Sequence, residues 1–281
     1  MKKILSLISI SLSFNLLAQQ DVICHTSSTE KFAMFASNKD FNNEHPSPRM
    51  YTHVSQAGGE MIKFKCGDGT EANAYLLKAK KATNNWIFVF QEWWGLNDNI
   101  KRHSEDLYKD LGNVNVLALD MYDGKLATDK DMAGKYMGEF KQTRGDAIVM
   151  GALAYAGPGA KVGTVGWCFG GGQSLLATLN AGKQASACVI YYGMPVDNVE
   201  TLKTLNCDVL GIFGSKDGWI NPDAVKKFEG NMKAAGKGLT VKMYDANHGF
   251  ANPSNPMGNF NADAAADAYK NTVEFFKGRL K

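Results

Sequence analysis

The chain has 281 residues, 44% of them hydrophobic, with 31 Lys and Arg against 28 Asp and Glu for a formal net charge of +3. That length suits one α/β domain. So even a balance, with the basic residues scattered, argues against a nucleic-acid binder and against attachment to a membrane surface through a basic face.

Met1-Lys2-Lys3 precedes an apolar stretch from Ile4 to Leu17, which ends at Ala18-Gln19-Gln20. A charged start, a short apolar core and a small residue at a polar boundary predict a secretory signal over 1–18, cleaved after Ala18. The stretch is shorter than the roughly 20 residues that span a bilayer, so no membrane span is expected after cleavage. The expected location is periplasmic or secreted. Residues 19–59 are polar and irregular, and predict an N-terminal extension that packs over the sheet or stays partly mobile. They contain His25, His45 and His53. All five cysteines, Cys24, Cys66, Cys168, Cys188 and Cys207, lie beyond the signal. Cys24 and Cys66 are candidates for a bridge, while Cys188 and Cys207, in or beside apolar runs, suit small buried residues.

The main domain is expected over 60–281. Met61 to Cys66 and Ala72 to Leu77 flank Gly67-Asp68-Gly69-Thr70, a hairpin signal. Strands then alternate with helices: Trp86 to Phe90, a helix from Asn97 to Leu111, Val114 to Leu119, helices within Asp129 to Ala156, and a strand from Lys161 to Val165. Further on come Ala185 to Tyr191, a helix near Val199 to Leu205, Asp208 to Phe213, a helix from Pro222 to Ala235, Leu239 to Tyr244, and a last helix from Ala262 to Leu280. This alternation predicts an α/β fold, a mostly parallel sheet with helices on both faces.

The Lys161–Val165 strand runs into Gly166-Trp167-Cys168-Phe169-Gly170-Gly171-Gly172 and then into a helix-like run from Gln173. A strand turning sharply into a helix strains its corner residue, and flanking glycines relieve the crowding. The pattern is a nucleophile elbow with cysteine at the corner. The helix N-terminus beneath it favours a thiolate and a developing oxyanion. A tight turn around a buried cysteine would leave the same trace, so the partners decide. In this topology the chain order is nucleophile, acid, histidine. Asp217, in Gly214-Ser215-Lys216-Asp217, follows one later strand, and His248, in Asn247-His248-Gly249-Phe250, follows the next. Asp223 and Asp245 are weaker candidates for the acid. His103 falls on a helix expected to be exposed, so His248 is the expected base. Earlier, the Trp86–Phe90 strand breaks into Gln91-Glu92-Trp93-Trp94-Gly95-Leu96-Asn97, the position that supplies a second oxyanion N–H and here carries a carboxylate, Glu92, in an aromatic setting.

Taken together, these segments resemble the dienelactone hydrolase family of α/β hydrolases, over roughly residues 60 to 281. The resemblance implies Cys168 as nucleophile, His248 as base and Asp217 as the group orienting it. It implies that Glu92 interacts with the resting thiol and helps to generate thiolate, and that the backbone N–H groups of Trp93 and Phe169 form the oxyanion hole. Members of the family grip a substrate carboxylate with arginines, one near Tyr122-Asp123-Gly124-Lys125 and one near Phe250-Ala251-Asn252, where this chain has none. Lysine does not reproduce a bidentate guanidinium grip, so hydrolytic chemistry is better implied than that particular substrate. Tyr122, Lys125, Trp94 and Phe250 are the expected substrate-contacting side chains. No cofactor and no metal are expected. The resulting expectation is an exported hydrolase that cleaves a small carboxylic ester or lactone through an acyl-enzyme. The alternatives are a non-catalytic binding protein on a retained fold, or a thiol redox role for Cys168.

Overall fold

A computed structural model of the protein describes residues 27–45, 51–254 and 259–280. The expected signal segment, Cys24 and His25 lie outside them.

The alternating apolar runs form eight strands: β1 (Glu60–Lys65), β2 (Glu71–Leu77), β3 (Asn85–Phe90), β4 (Asn115–Leu119), β5 (Lys161–Trp167), β6 (Ala185–Tyr191), β7 (Val209–Gly214) and β8 (Leu239–Tyr244). They make one sheet in the order β1-β2-β4-β3-β5-β6-β7-β8. β1 pairs antiparallel with β2 and β2 antiparallel with β4, and every later pairing is parallel. The central strands β3, β4 and β7 are buried almost along their whole length, as parallel strands covered on both faces must be.

The helices are α1 (Ser28–Ala33), α2 (Lys39–Glu44), α3 (Asp98–Leu111), α4 (Lys130–Glu139), α5 (Gln142–Ala156), α6 (Phe169–Ala181), α7 (Val199–Lys203), α8 (Pro222–Ala234) and α9 (Ala262–Arg279). α3 and α9 pack together against β2, β4, β6 and β7, and α5 and α6 form the opposing layer against β1 to β6. α8 leans on β8, with α7 beside it. The expected α/β architecture is therefore the observed one. The long helical stretch expected within 129–156 divides because Phe140 turns to an extended backbone (ψ 132), which ends α4 before α5 begins.

The extension departs from the irregular segment its composition suggests. Ser27 caps α1 through a reciprocal capping box with Glu30, and the Asn38 side chain caps α2 by accepting from the N–H groups of Asp40 and Phe41. A short 3₁₀ turn, Met34–Ser37, joins the two helices. Phe32 and Phe41 are buried, at 2% and 0% exposure, against the carboxyl edge of the sheet. Polar ties fix the segment: Gln173 Nε2 donates to Thr29 Oγ1 at 2.9 Å, and Lys31 pairs with Asp197 at 2.6 Å.

Candidate active site

Everything of chemical interest gathers where β3, β5, β7 and β8 end, the carboxyl edge at which open α/β sheets hold their ligands. Cys168 occupies the corner between β5 and α6 with φ 59° and ψ −120°, a left-handed conformation that side chains rarely adopt. Such a residue costs of order 1–3 kcal/mol and persists only where its surroundings enforce it. Here they do. A Cβ on Gly166 would lie 2.0 Å from the Gly170 carbonyl oxygen, and one on Gly170 would lie 2.3 Å from Gln91 O and 2.4 Å from Phe90 O. Strand, elbow and the end of β3 thus pack backbone to backbone, and the helix starts directly beneath the sulfur.

Asp217 and His248 are brought together by the loops that follow β7 and β8. Lys216 N–H donates to Ala246 O at 3.0 Å, and Gly214 approaches so closely that a Cβ there would meet Ala246 O at 2.3 Å. Asp217 Oδ1 accepts from the N–H groups of Trp219 and Ile220 at 2.8 and 2.9 Å, which leaves Oδ2 to accept from His248 Nδ1 at 2.7 Å. Both side chains are fully buried. The weaker acid candidates lie elsewhere: Asp245 pairs with Lys216 at the surface, and Asp223 opens α8 in solvent. The Cys168 sulfur lies within 4.8 Å of a ring nitrogen of His248.

Electrostatics separates the groups. Burial opposes the Asp217 charge, but His248 and the two backbone donors more than offset this and hold the carboxyl below its usual range. Burial also opposes a charge on His248, yet Asp217 and the Cys168 sulfur raise its pKa well above the ordinary imidazole value. Burial pushes the Cys168 thiol up, and Glu92 adds to that shift against the attraction of His248. Glu92 itself is raised to about 7, by burial and against the opposing pull of His248 and of Asn252. The Glu92 side chain is therefore not the solvated carboxylate of a simple aromatic turn. Asn252 Nδ2 donates to its Oε2 at 2.7 Å, and Asn252 is fixed in turn by accepting from Ser254 N–H at 2.8 Å. In the stretch after the histidine, where the family resemblance implies an arginine, this chain places the amide that holds Glu92.

Of the other expected residues, Trp93 is fully buried, with Trp94 edge-on to it at 5.0 Å. Tyr122 is buried against the ring of Phe169, and its hydroxyl has no hydrogen-bond partner; burial and the nearby Cys168 sulfur hold the phenol well above its ordinary pKa, so it stays a neutral donor. Two of the expected residues have other surroundings in the fold. Lys125 lies in a surface groove that Tyr122 also lines, where its exposed ammonium pairs with Glu139 at 3.2 Å. Phe250 is fully buried beneath the histidine loop, between Tyr192 and Tyr244, and acts as packing. His103 is not exposed either: it stacks on Trp167 at 5.0 Å, and burial lowers its pKa to about 4.

His45 is the residue that sequence reasoning missed. It ends the helical extension with its ring 5.1 Å from that of His248 and 5.3 Å from Trp93, and it is 7% exposed. Burial and the neighbouring His248 lower its pKa to about 3, so it is neutral. With Phe32 and Phe41 it roofs the site, leaving Cys168, Asp217 and His248 each no more than 2% exposed. The Ser27–Glu30 capping box signals that the segment is helical, but nothing local signals where it docks.

The model of the Dienelactone hydrolase family matches residues 72–280, nearly the whole of the sheet and its helices. The chain belongs to the dienelactone hydrolase family. It is a hydrolase of the dienelactone hydrolase type. Protein usf of Aquifex pyrophilus is 29% identical over 238 residues, covering 79% of this chain and 99% of that protein. A carboxymethylenebutenolidase of a Pseudomonas species is 28% identical over 148 residues, covering 51% of this chain and 60% of that protein. Among solved structures, a dienelactone hydrolase-like promiscuous phosphotriesterase from metagenomic libraries superposes with a TM-score of 0.66 at 23% identity, over 79% of this chain and 99% of that one, a likeness of fold. The roofing segment 27–45 precedes the residues matched to the dienelactone hydrolase family. No helix among the described residues is long and apolar enough to cross a membrane.

Proposed function

We propose that the protein is an exported hydrolase that cleaves a small carboxylic ester or lactone through a Cys168–His248–Asp217 triad and an acyl-enzyme. The observation that carries this reading is the 2.7 Å bond from His248 Nδ1 to a fully buried Asp217, beside a cysteine held in elbow geometry. Nucleophile, base and orienting group in this relation are the minimal set for covalent acyl transfer.

The sequence of proton moves follows from the charge states. At rest the thiol is protonated and His248 is held as imidazolium by Asp217. Glu92, raised to about 7, is poised to accept a proton near neutrality. On substrate entry the thiol proton passes to the Glu92 carboxylate, and the thiolate attacks the carbonyl carbon. The oxyanion that forms is received by the backbone N–H groups of Phe169, at the start of α6, and Trp93. Collapse breaks the C–O bond, and the departing alkoxide takes the proton from His248. Neutral His248 then takes a proton from water, hydroxide attacks the thioester, and the released thiolate recovers its proton from Glu92. Tyr122, neutral and unpartnered, offers a hydrogen bond to a second polar group of the substrate. Export is supported by the leader-like first 18 residues and by the roof, which shields a reactive thiol from oxidants.

The test is the variant Cys168→Ala. Turnover of an activated aryl ester should fall by at least 10³-fold with the melting temperature held, and wild type should show a single acyl adduct on Cys168 by intact mass. Unchanged turnover, or acylation at another residue, would reject the mechanism.

A further inference from the structure

The closed site holds more ligand donors than acyl transfer needs. His45 Nδ1 lies 2.6 Å from the Phe41 carbonyl oxygen, and His248 Nδ1 lies 2.7 Å from Asp217 Oδ2. Both oxygens only accept, so each Nδ1 carries a hydrogen and Nε2 is the remaining nitrogen on each ring. His45 Nε2 is buried without a hydrogen-bond partner, whereas the remaining nitrogen of His248 faces the Cys168 thiol. One nitrogen of each ring and the Cys168 sulfur all lie within 4.8 Å of one another, and all three residues are buried. The His248 ring and the thiol can satisfy each other, but the Nε2 lone pair of the neutral His45 ring is left without a donor.

We propose that Cys168 Sγ, His248 Nε2 and His45 Nε2 form a binding site for a soft divalent cation, with zinc as the type ion, and that the bound ion staples the segment 27–45 over the thiol. The donor set suits the ion. Thiolate and imidazole are the ligands zinc prefers, and Zn–S and Zn–N bonds of about 2.3 and 2.0–2.1 Å set tetrahedral donor separations of about 3.3–3.6 Å. From its widest limit of 4.8 Å the observed cluster needs to contract by about 1.2–1.5 Å to reach them. The outer contacts are those of metal-binding histidines, since each ring donates its second N–H to a fixed oxygen, one of them a carboxylate. As the ion binds, the thiol proton and the proton on His248 Nε2 leave to solvent. The S–Zn and N–Zn bonds form with no change of oxidation state. A fourth position remains for water.

The ligands come from different parts of the chain. Cys168 and His248 belong to the stretch shared with the dienelactone hydrolase family, whereas His45 precedes it. The ion therefore couples the roof to the catalytic edge and occupies the nucleophile, giving a metal-locked resting form. That regulatory consequence rests on the acyl-transfer reading of Cys168; the binding itself needs only a thiol and two imidazoles.

The experiment uses the full mature chain, reduced and stripped with chelator, titrated with zinc by calorimetry and with cobalt(II) as a spectroscopic probe. One equivalent should bind, and cobalt should give an intense tetrahedral visible spectrum with a thiolate charge-transfer band. His45→Phe keeps an aromatic ring in the cluster and removes the donor; it should weaken zinc at least 30-fold. Cys168→Ser should abolish the charge-transfer band. Zinc should slow tryptic cleavage after Lys39 at least tenfold in wild type and not in His45→Phe. Absence of a stoichiometric site in wild type, or wild-type affinity in His45→Phe, overturns the proposal, and unchanged cleavage after Lys39 overturns the staple. Acylation of Cys168 by an activated ester in chelator is read separately. Its absence would sink the acyl-transfer reading of Cys168 while leaving the metal site standing.

Discussion

Glu92 shows most plainly how one residue trades stability for chemistry. Its carboxyl is buried beside a thiol, bonded to Asn252 and raised from 4.5 to about 7. A carboxyl whose folded pKa lies above its unfolded value loses stability as pH rises from the unfolded pKa through the folded one. The native state therefore weakens between pH 4.5 and 7 by about 3 kcal/mol relative to a protein lacking this group. Glu92→Gln should remove that fall, so the stability difference between variant and wild type, followed by urea unfolding, should grow across this window and level off above it. A constant difference would show that Glu92 is not the titrating group. Asp217→Asn should cost about 10²–10⁴ in kcat, because the imidazole loses the partner that sets its tautomer and charge. The check is steady-state ester hydrolysis with the fold monitored by circular dichroism.

At the scale of elements, two devices position the site. The first is backbone contact between loops. Gly170 packs against the end of β3, so Gly170→Ala would set a methyl 2.3 Å from a carbonyl oxygen. The expected loss is at least about 4 kcal/mol, or failure to fold, read as melting temperature and soluble yield. The second device is the roof. Phe41 is fully buried, touching Trp93, Trp219 and His248 through its ring. Truncating a buried phenylalanine typically costs about 3–5 kcal/mol. Here that cost falls on the docking of the segment. Phe41→Ala should shift the segment toward an open form and speed iodoacetamide modification of Cys168 by at least 100-fold, with little change in the unfolding of the sheet domain. An unchanged alkylation rate would mean that the segment does not control access. The segment covers a triad whose three residues are each no more than 2% exposed.

On the scale of the whole molecule, the sheet gathers residues far apart in sequence, because every parallel strand delivers its following loop to the same edge. The leader expected at the N-terminus has its own test: terminal sequencing of protein recovered from the periplasm or medium should begin at Gln19. The Cys168 elbow, Asp217 and His248 are legible in the sequence because each follows a strand signalled by its own apolar run, so local pattern already places them at one edge. Glu92 is legible as a carboxylate in an aromatic loop, but not as a group held by Asn252, since that bond joins positions 160 residues apart. The surroundings of Lys125 and Phe250 are not legible, because a residue's position beside a strand end does not say which way its side chain turns.

The chain's own pattern was enough to determine the alternation of strands and helices, the elbow, and the order of nucleophile, acid and histidine. These are encoded in short-range periodicity and glycine placement, which act within a few residues. Only the tertiary structure decided that the polar segment before the domain is helical at its described end, that it lays Phe32, Phe41 and His45 over the site, and that Cys168 has two imidazoles beside it. Those outcomes depend on which surfaces are left uncovered once the sheet has closed, and no local pattern carries that information.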